Sequence, residues 1–213
     1  MRDTGINKIH IVGTLLDEFK YSNKFIINKF HDTKKCSEEL FFENQIKIVT
    51  NNNGNIMNIL INGKLLSKFG KGDKVNIYGQ VRSRYIDDNN HKKMLFYIYV
   101  LDIYKSDNEK DTNIAELEGY ITSDSIYKIT NNNGAVYSNI LKIHRYYKKT
   151  DYIPIVAWGI NATTLSNLKE GTKLRIIGEF RNREYKTIKD NFKNTKMAYE
   201  VSIISIEKIQ KNN

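Results

Sequence analysis

Between His144 and Gly178 basic and aromatic side chains alternate in a pattern that suits one kind of chemistry. His144-Arg145-Tyr146-Tyr147-Lys148-Lys149-Thr150-Asp151-Tyr152 runs into Ile153-Pro154-Ile155-Val156-Ala157-Trp158-Gly159, which holds the single Trp of the chain. After a short helical stretch, Gly171-Thr172-Lys173-Leu174-Arg175-Ile176-Ile177-Gly178 opens a strand that continues to Arg181-Asn182-Arg183-Glu184-Tyr185. Cations neutralise phosphates and flat side chains stack on unpaired bases, and a single nucleic-acid strand offers both groups.

Strands must hold these side chains, and strand parity assigns their faces. From Thr172 to Tyr185, residues Leu174, Ile176, Gly178 and Phe180 share an inward face. Lys173, Arg175, Ile177, Glu179, Arg181, Arg183 and Tyr185 share the outward one. From Tyr152 to Trp158, residues Ile153, Ile155 and Ala157 form the apolar face and leave Tyr152, Pro154, Val156 and Trp158 opposite. Parity does not choose between Tyr146 and Tyr147. A lone Trp in a strand is often a core residue; sharing a face with Tyr152 argues for the outside. Lys142, His144, Arg145, Lys148 and Lys149 fall within eight residues, and Lys186, Lys189, Lys193 and Lys196 follow Arg181 and Arg183.

The rest of the chain reads as the same scaffold twice. Strands are expected at 7–16, 40–49, 55–62, 72–85 and 94–104, with a helix at 64–68 and its Leu65, Leu66 and Phe69 inward. Asn51-Asn52-Asn53-Gly54 is a hairpin turn, since Asn and Gly tolerate positive φ. Residues 17–39 are polar and irregular, with a short strand at 25–27. A charged stretch, 105–113, serves as a linker. Beyond it strands are expected at 114–122, 135–147, 152–158, 172–185 and 197–208, with a helix at 162–168. The repeat is visible directly, because the Gly72-to-Arg84 segment lies over Gly171 to Arg183 and Asn7–Gly13 over Asn113–Gly119. In this overlay Ile56 stands for Tyr152 and Asn62 for Trp158, while Arg82 and Arg84 keep their places with Tyr78 on the same parity.

Gly119, Asn133-Gly134-Ala135-Val136, Arg145-Tyr146-Tyr147-Lys148, Asp151-Tyr152, Val156-Ala157-Trp158-Gly159, Leu168-Lys169-Glu170-Gly171, Gly178 and Arg181-x-Arg183-x-Tyr185 follow one another in an order that resembles the bacterial single-stranded DNA-binding protein family. The resemblance spans 113–209. It implies an all-β chain of two tandem five-stranded oligonucleotide/oligosaccharide-binding (OB) barrels, each with a short helix between strands three and four. The domains are then a divergent 1–104, the linker 105–113 and a regular 114–213. The family's three stacking aromatics would fall on Tyr147, on Tyr152 or Trp158, and on Tyr185. The expected contact set is Arg145, Tyr146, Tyr147, Lys148, Lys149, Tyr152, Trp158, Arg181, Arg183, Tyr185 and Lys186, with Tyr78, Arg82 and Arg84 from the first barrel. The implied partner is single-stranded DNA, and a homodimer would supply four barrels. The acidic recruitment tail typical of the family is not seen in the basic ending Ile209-Gln210-Lys211-Asn212-Asn213.

Composition is consistent with this. The 213 residues carry 34 Lys plus Arg against 24 Asp plus Glu, a net charge of +10. AT-rich coding also enriches Asn, Ile, Lys and Tyr, so clustering weighs more than the total. One cysteine, Cys36, excludes an internal disulfide and fits a reducing cytoplasm. Neither an apolar leader nor a run approaching about 18 apolar residues is present, so no membrane role is expected. Catalysis is not expected either: His10, His31, His91 and His144 are scattered, His31 with Cys36 lacks metal-ligand spacing, and no phosphate loop or nucleophile elbow appears. No cofactor is implied. The rival readings are an RNA-binding or primosome-type accessory on the same fold, and an interaction or assembly module with residual nucleic-acid affinity.

Overall fold

The computed structural model describes residues 5–23, 40–50, 53–66, 68–88, 91–107, 109–131, 134–146, 149–189 and 192–209, without the side chains of 87, 88, 91, 92, 186–189 and 192–196. The short strand expected at 25–27 lies outside these residues, as do His31, Cys36, Tyr147 and Lys148. The chain divides into two compact units. The C-terminal unit comprises 113–213 with 1–9 and 81–83, and the N-terminal unit comprises 10–80 and 84–112.

In the C-terminal unit the strands are β7 (Thr112–Ile121), β8 (Ile126–Ile129), β9 (Ala135–His144), β10 (Thr150–Trp158), β11 (Lys173–Lys189) and β12 (Phe192–Lys208). One helix, α1 (Gly159–Ser166), joins β10 to β11. Strand β7 pairs antiparallel with β11 and with β9. Antiparallel pairing of β11 with β12 and of β9 with β10, plus a parallel β10–β12 contact, closes the ring. This is the five-stranded OB barrel.

Alternation drives it. Along β9 every second residue is buried, and Leu117, Leu141, Ile153, Ile155, Leu174 and Phe180 are sealed from solvent in the barrel. Each such side chain contributes about 1.5–3 kcal/mol by leaving water. Where the strands cross most closely only a hydrogen fits. A Cβ on Gly119 would stand 2.6 Å from the Lys142 carbonyl oxygen, and one on Gly178 2.4 Å from that of Ser202. Buried Asn113 clips β7 to β11, its Nδ2 donating to the Phe180 carbonyl at 2.7 Å and its Oδ1 accepting from the Phe180 N–H at 3.1 Å. The β11–β12 register slips between Ile177 and Gly178, leaving Ile204 as an extra residue. The Nδ2 of Asn161 in α1 donates to the freed Ile204 carbonyl at 3.0 Å.

The N-terminal barrel repeats the plan. Its strands are β1 (Asn7–Leu15), β2 (Lys20–Tyr21), β3 (Phe41–Thr50), β4 (Asn53–Asn62), β5 (Lys74–Asp88) and β6 (His91–Lys105). Strand β3 pairs antiparallel with β1, β2 and β4, β4 runs parallel to β6, and β5 lies between β6 and β1. Each device recurs. A Cβ on Gly13 would meet the Lys47 oxygen at 2.5 Å, and one on Gly79 the Tyr99 oxygen at 2.6 Å. Asn7 clips Val81 with bonds of 2.7 and 2.9 Å.

Local details differ from the sequence expectations. The first-barrel helix shrinks to a 3-10 turn, Gly63–Leu65, in which the Asn62 carboxamide caps Lys64 N–H and Leu66 is already extended, so Leu65 and Leu66 are only partly buried. Helix α1 begins three residues earlier than expected, where Gly159 adopts φ +57°. Strands β2 and β8 were not anticipated. The charged stretch 105–113 is tied to the N-terminal unit as far as Asp111, whose carboxylate meets Lys74 Nζ at 3.0 Å and accepts from Val49 N–H at 2.7 Å. Among the described residues no helix is long and apolar enough to cross a membrane.

Candidate nucleic-acid interface

Strand β10 sorts its side chains as parity predicts. Ile153, Ile155 and Ala157 are fully buried, whereas Tyr152 is 38% and Trp158 57% exposed. Val156, on the outer parity, is nonetheless buried. The two rings stand six positions apart, roughly 20 Å along a strand.

The ladder registers place cations beside them. Tyr152 is paired with Lys142 of β9, Lys142 with Tyr120 of β7, and Tyr120 with Lys173 of β11. One row across four strands thus reads ring, ammonium, ring, ammonium. Lys173 Nζ lies 6.0 Å from the Tyr120 ring centre and 2.6 Å from Glu118, and the His144 ring stands 5.9 Å from Tyr120. Sequence reading passed over Tyr120. Its signal was there in the period of two, since Leu117, Gly119 and Ile121 point inward and leave Tyr120 outward.

Beyond the ring of pairing, β11 and β12 continue as a two-stranded arm. Arg181 binds Glu179 through Nε at 2.8 Å, and Arg183 Nε donates to Glu200 at 3.1 Å. Arg183 is 60% exposed and Tyr185 38%. The backbone of Lys186 pairs with Thr195, and its side chain lies outside the described residues. On the same outer sheet Glu116 bonds Arg175 and holds its guanidinium above the ordinary pKa.

In the β9–β10 hairpin, Tyr146 is 72% exposed and Lys149 is exposed. The Arg145 N–H donates to the Lys149 carbonyl at 2.9 Å. Arg145 and Arg82 both turn to Asp151, which is fully buried in the C-terminal unit. Arg145 Nε is 2.9 Å and Arg82 Nη1 2.7 Å from its carboxylate. A buried carboxylate requires such partners, so these two arginines have a structural engagement that the more exposed Arg183 lacks. Ser83 Oγ accepts from Tyr152 N–H at 2.8 Å and helps fix that residue.

The N-terminal unit lacks the equivalent rings. Gly13 abuts Lys47 as Gly119 abuts Lys142, and Leu60 pairs with Tyr99 as Val156 pairs with Ser202. These contacts align the barrels independently of sequence. They put Thr14 at the place of Tyr120, Lys47 at Lys142, Ile56 at Tyr152 and Asn62 at Trp158. The lysine stays and the aromatics go. Gln45 and Asn58 of that face line a cleft of about 290 Å³ with Lys20 and three carboxylates, Asp17, Glu18 and Glu43, a net negative lining that opposes a phosphate. Tyr78, 47% exposed, instead stacks on His10 at 4.6 Å with an interplanar angle of 1°. Tyr85 and Arg84 are exposed. Among the described residues no group of three or more His, Cys, Asp or Glu side chains is arranged to hold a metal ion.

Fold and surface together define a tandem OB-fold protein with aromatic and cationic side chains on the outer face of its second barrel. Residues 112–209 match the model of the single-strand binding protein family. Over almost its whole length the chain is similar in fold to the wild-type single-stranded DNA binding protein from Thermus aquaticus, with 17% identity, 99% of this chain and 96% of that chain covered, and a TM-score of 0.71. A deletion mutant of the same Thermus aquaticus protein gives 16% identity, 99% and 97% coverage, and a TM-score of 0.72. No curated protein sequence matches the chain.

Proposed function

We propose that this protein binds single-stranded DNA with little base-sequence preference and without catalysis, and that it protects or organises the strand during replication, recombination or repair in the cytoplasm. The carrying observation is the pair of exposed rings, Tyr152 and Trp158, on one face of β10 inside the segment that matches the family model. Lys142, Lys149, Arg181 and Arg183 supply the phosphate contacts, and Tyr146 and Tyr185 extend the stacking surface at either side. Tyr147, Lys148 and Lys186 complete the set as the family resemblance implies. Arg145 and Arg82 act by holding Asp151, next to Tyr152 in sequence.

The N-terminal barrel, with its lysines but without the rings, serves assembly or a weaker contact through Tyr78, Arg84 and their neighbours. Two barrels per chain make a homodimer of four barrels the working assembly. The test is titration of the full chain with oligo-dT and oligo-U over a range of salt. Tight, salt-dependent binding of oligo-dT is expected, and binding of neither oligomer would leave the interaction role. Stronger binding of oligo-U would move the reading to RNA.

A further inference from the structure

Resting on the reading above, we propose that Tyr120 is an additional stacking platform, and that the strand crosses the barrel along the row Tyr152–Lys142–Tyr120–Lys173 as base, phosphate, base, phosphate. Neighbouring strands stand about 4.7–4.9 Å apart, so two rings with one strand between them are roughly 9.5–10 Å apart. Lys142 lies midway, paired in register with both tyrosines. A dinucleotide offers the same order of groups: a π-face, a charged phosphodiester, a second π-face. The ammonium between the rings neutralises the phosphate that joins two stacked bases.

The surroundings of Tyr120 favour a ligand-facing ring over a packing one. Its side chain lies on the outer parity of β7, opposite the core residues Leu117 and Ile121. The His144 ring stands 5.9 Å from its ring and the Lys173 ammonium 6.0 Å from its centre, two polar groups of the kind a nucleotide can meet. The N-terminal barrel supplies an internal control, because its register keeps Lys47 at the middle of the row but has Thr14 and Ile56 at the ring positions. A barrel of the same build therefore closes without either ring, and Tyr120 is not demanded by the fold.

The experiment compares Tyr120→Leu, Tyr120→Phe and Lys142→Gln in the full chain, using oligo-dT titrations and thermal melts. Stacking on an aromatic is worth about 1–3 kcal/mol per base, so Tyr120→Leu should weaken binding by about fivefold or more while Tyr120→Phe stays within twofold of wild type. Lys142→Gln should flatten the log–log salt dependence by about 0.7. Wild-type affinity in the Leu variant, or equal losses in Leu and Phe, overturns the platform and leaves the proposed function standing. If the Leu variant fails to fold, an unchanged salt slope in Lys142→Gln overturns the row. Failure of the wild type to bind oligo-dT overturns the proposed function and this inference with it.

Discussion

Trp158 decides the question at the scale of one residue. It is the single Trp in the chain and more than half exposed, so its fluorescence reports directly on stacking. Trp158→Ala is expected to weaken oligo-dT binding by about tenfold or more, and saturating oligo-dT to quench the wild-type emission. Retained affinity would make the ring a bystander. The arginines need a different measurement, because Arg181 and Arg183 are ion-paired with Glu179 and Glu200. Both guanidinium groups are themselves partly exposed, so a phosphate can compete with the glutamates for either one. Replacing both by Gln should reduce the log–log salt slope by about 1.4 if each makes one contact. A slope equal to wild type would confine the pair to holding the β11–β12 arm together.

At the scale of elements, barrel closure depends on backbone approaching backbone across a glycine. Gly178→Ala would set a Cβ 2.4 Å from a carbonyl oxygen with strand on both sides, an overpacking that costs about 1–3 kcal/mol. For a chain of this size that is a fall of roughly 2–12 °C in melting temperature. Gly54→Ala, with nothing within 4 Å of the new methyl, should melt as wild type does. Calorimetry on the two variants checks the contrast. Gly178 was legible in the sequence as a member of the inward set of its strand, and the inward sets of β10 and β11 followed from parity alone. Other elements were not legible for physical reasons. Strand β8 is four residues long and exposed throughout, so no burial alternation marks it. The turn at Gly63 lost its helix to a single i→i+3 bond that no periodicity announces. Asp151 reads as a polar residue in a basic hairpin, yet it is wholly buried because Arg145 and Arg82 converge on it.

At the scale of the molecule the two barrels share a frame and differ in what they display. Residues 1–106 carry 17 basic and 11 acidic side chains, and 107–213 carry 17 and 13, so net charge gives the second barrel no advantage. Rings do. Two stacked bases amount to about 2–6 kcal/mol, more than two screened surface charges recover. Replacing Tyr152 and Trp158 together by Ala is therefore expected to cost about thirtyfold or more in affinity. Replacing Ile56 and Asn62 by Ala, at the matching places, should change it less than twofold. Comparable losses from the two pairs, measured by titration at matched salt, would show that the first barrel engages bases by another route.

The β11–β12 arm carries a consequence for the heat of binding. From Arg181 to Lys189 the ladder among the described residues pairs each strand with the other, and an isolated two-stranded ribbon is marginal in water. Its outer amides therefore exchange with solvent at little cost, whereas those near Leu174 and Ile176 wait for the barrel to open. A ligand that grips Arg181, Arg183 and Tyr185 draws the ribbon into order as it binds. The enthalpy of association then includes a folding reaction, and its heat-capacity change should be more negative than the area of contact alone would give.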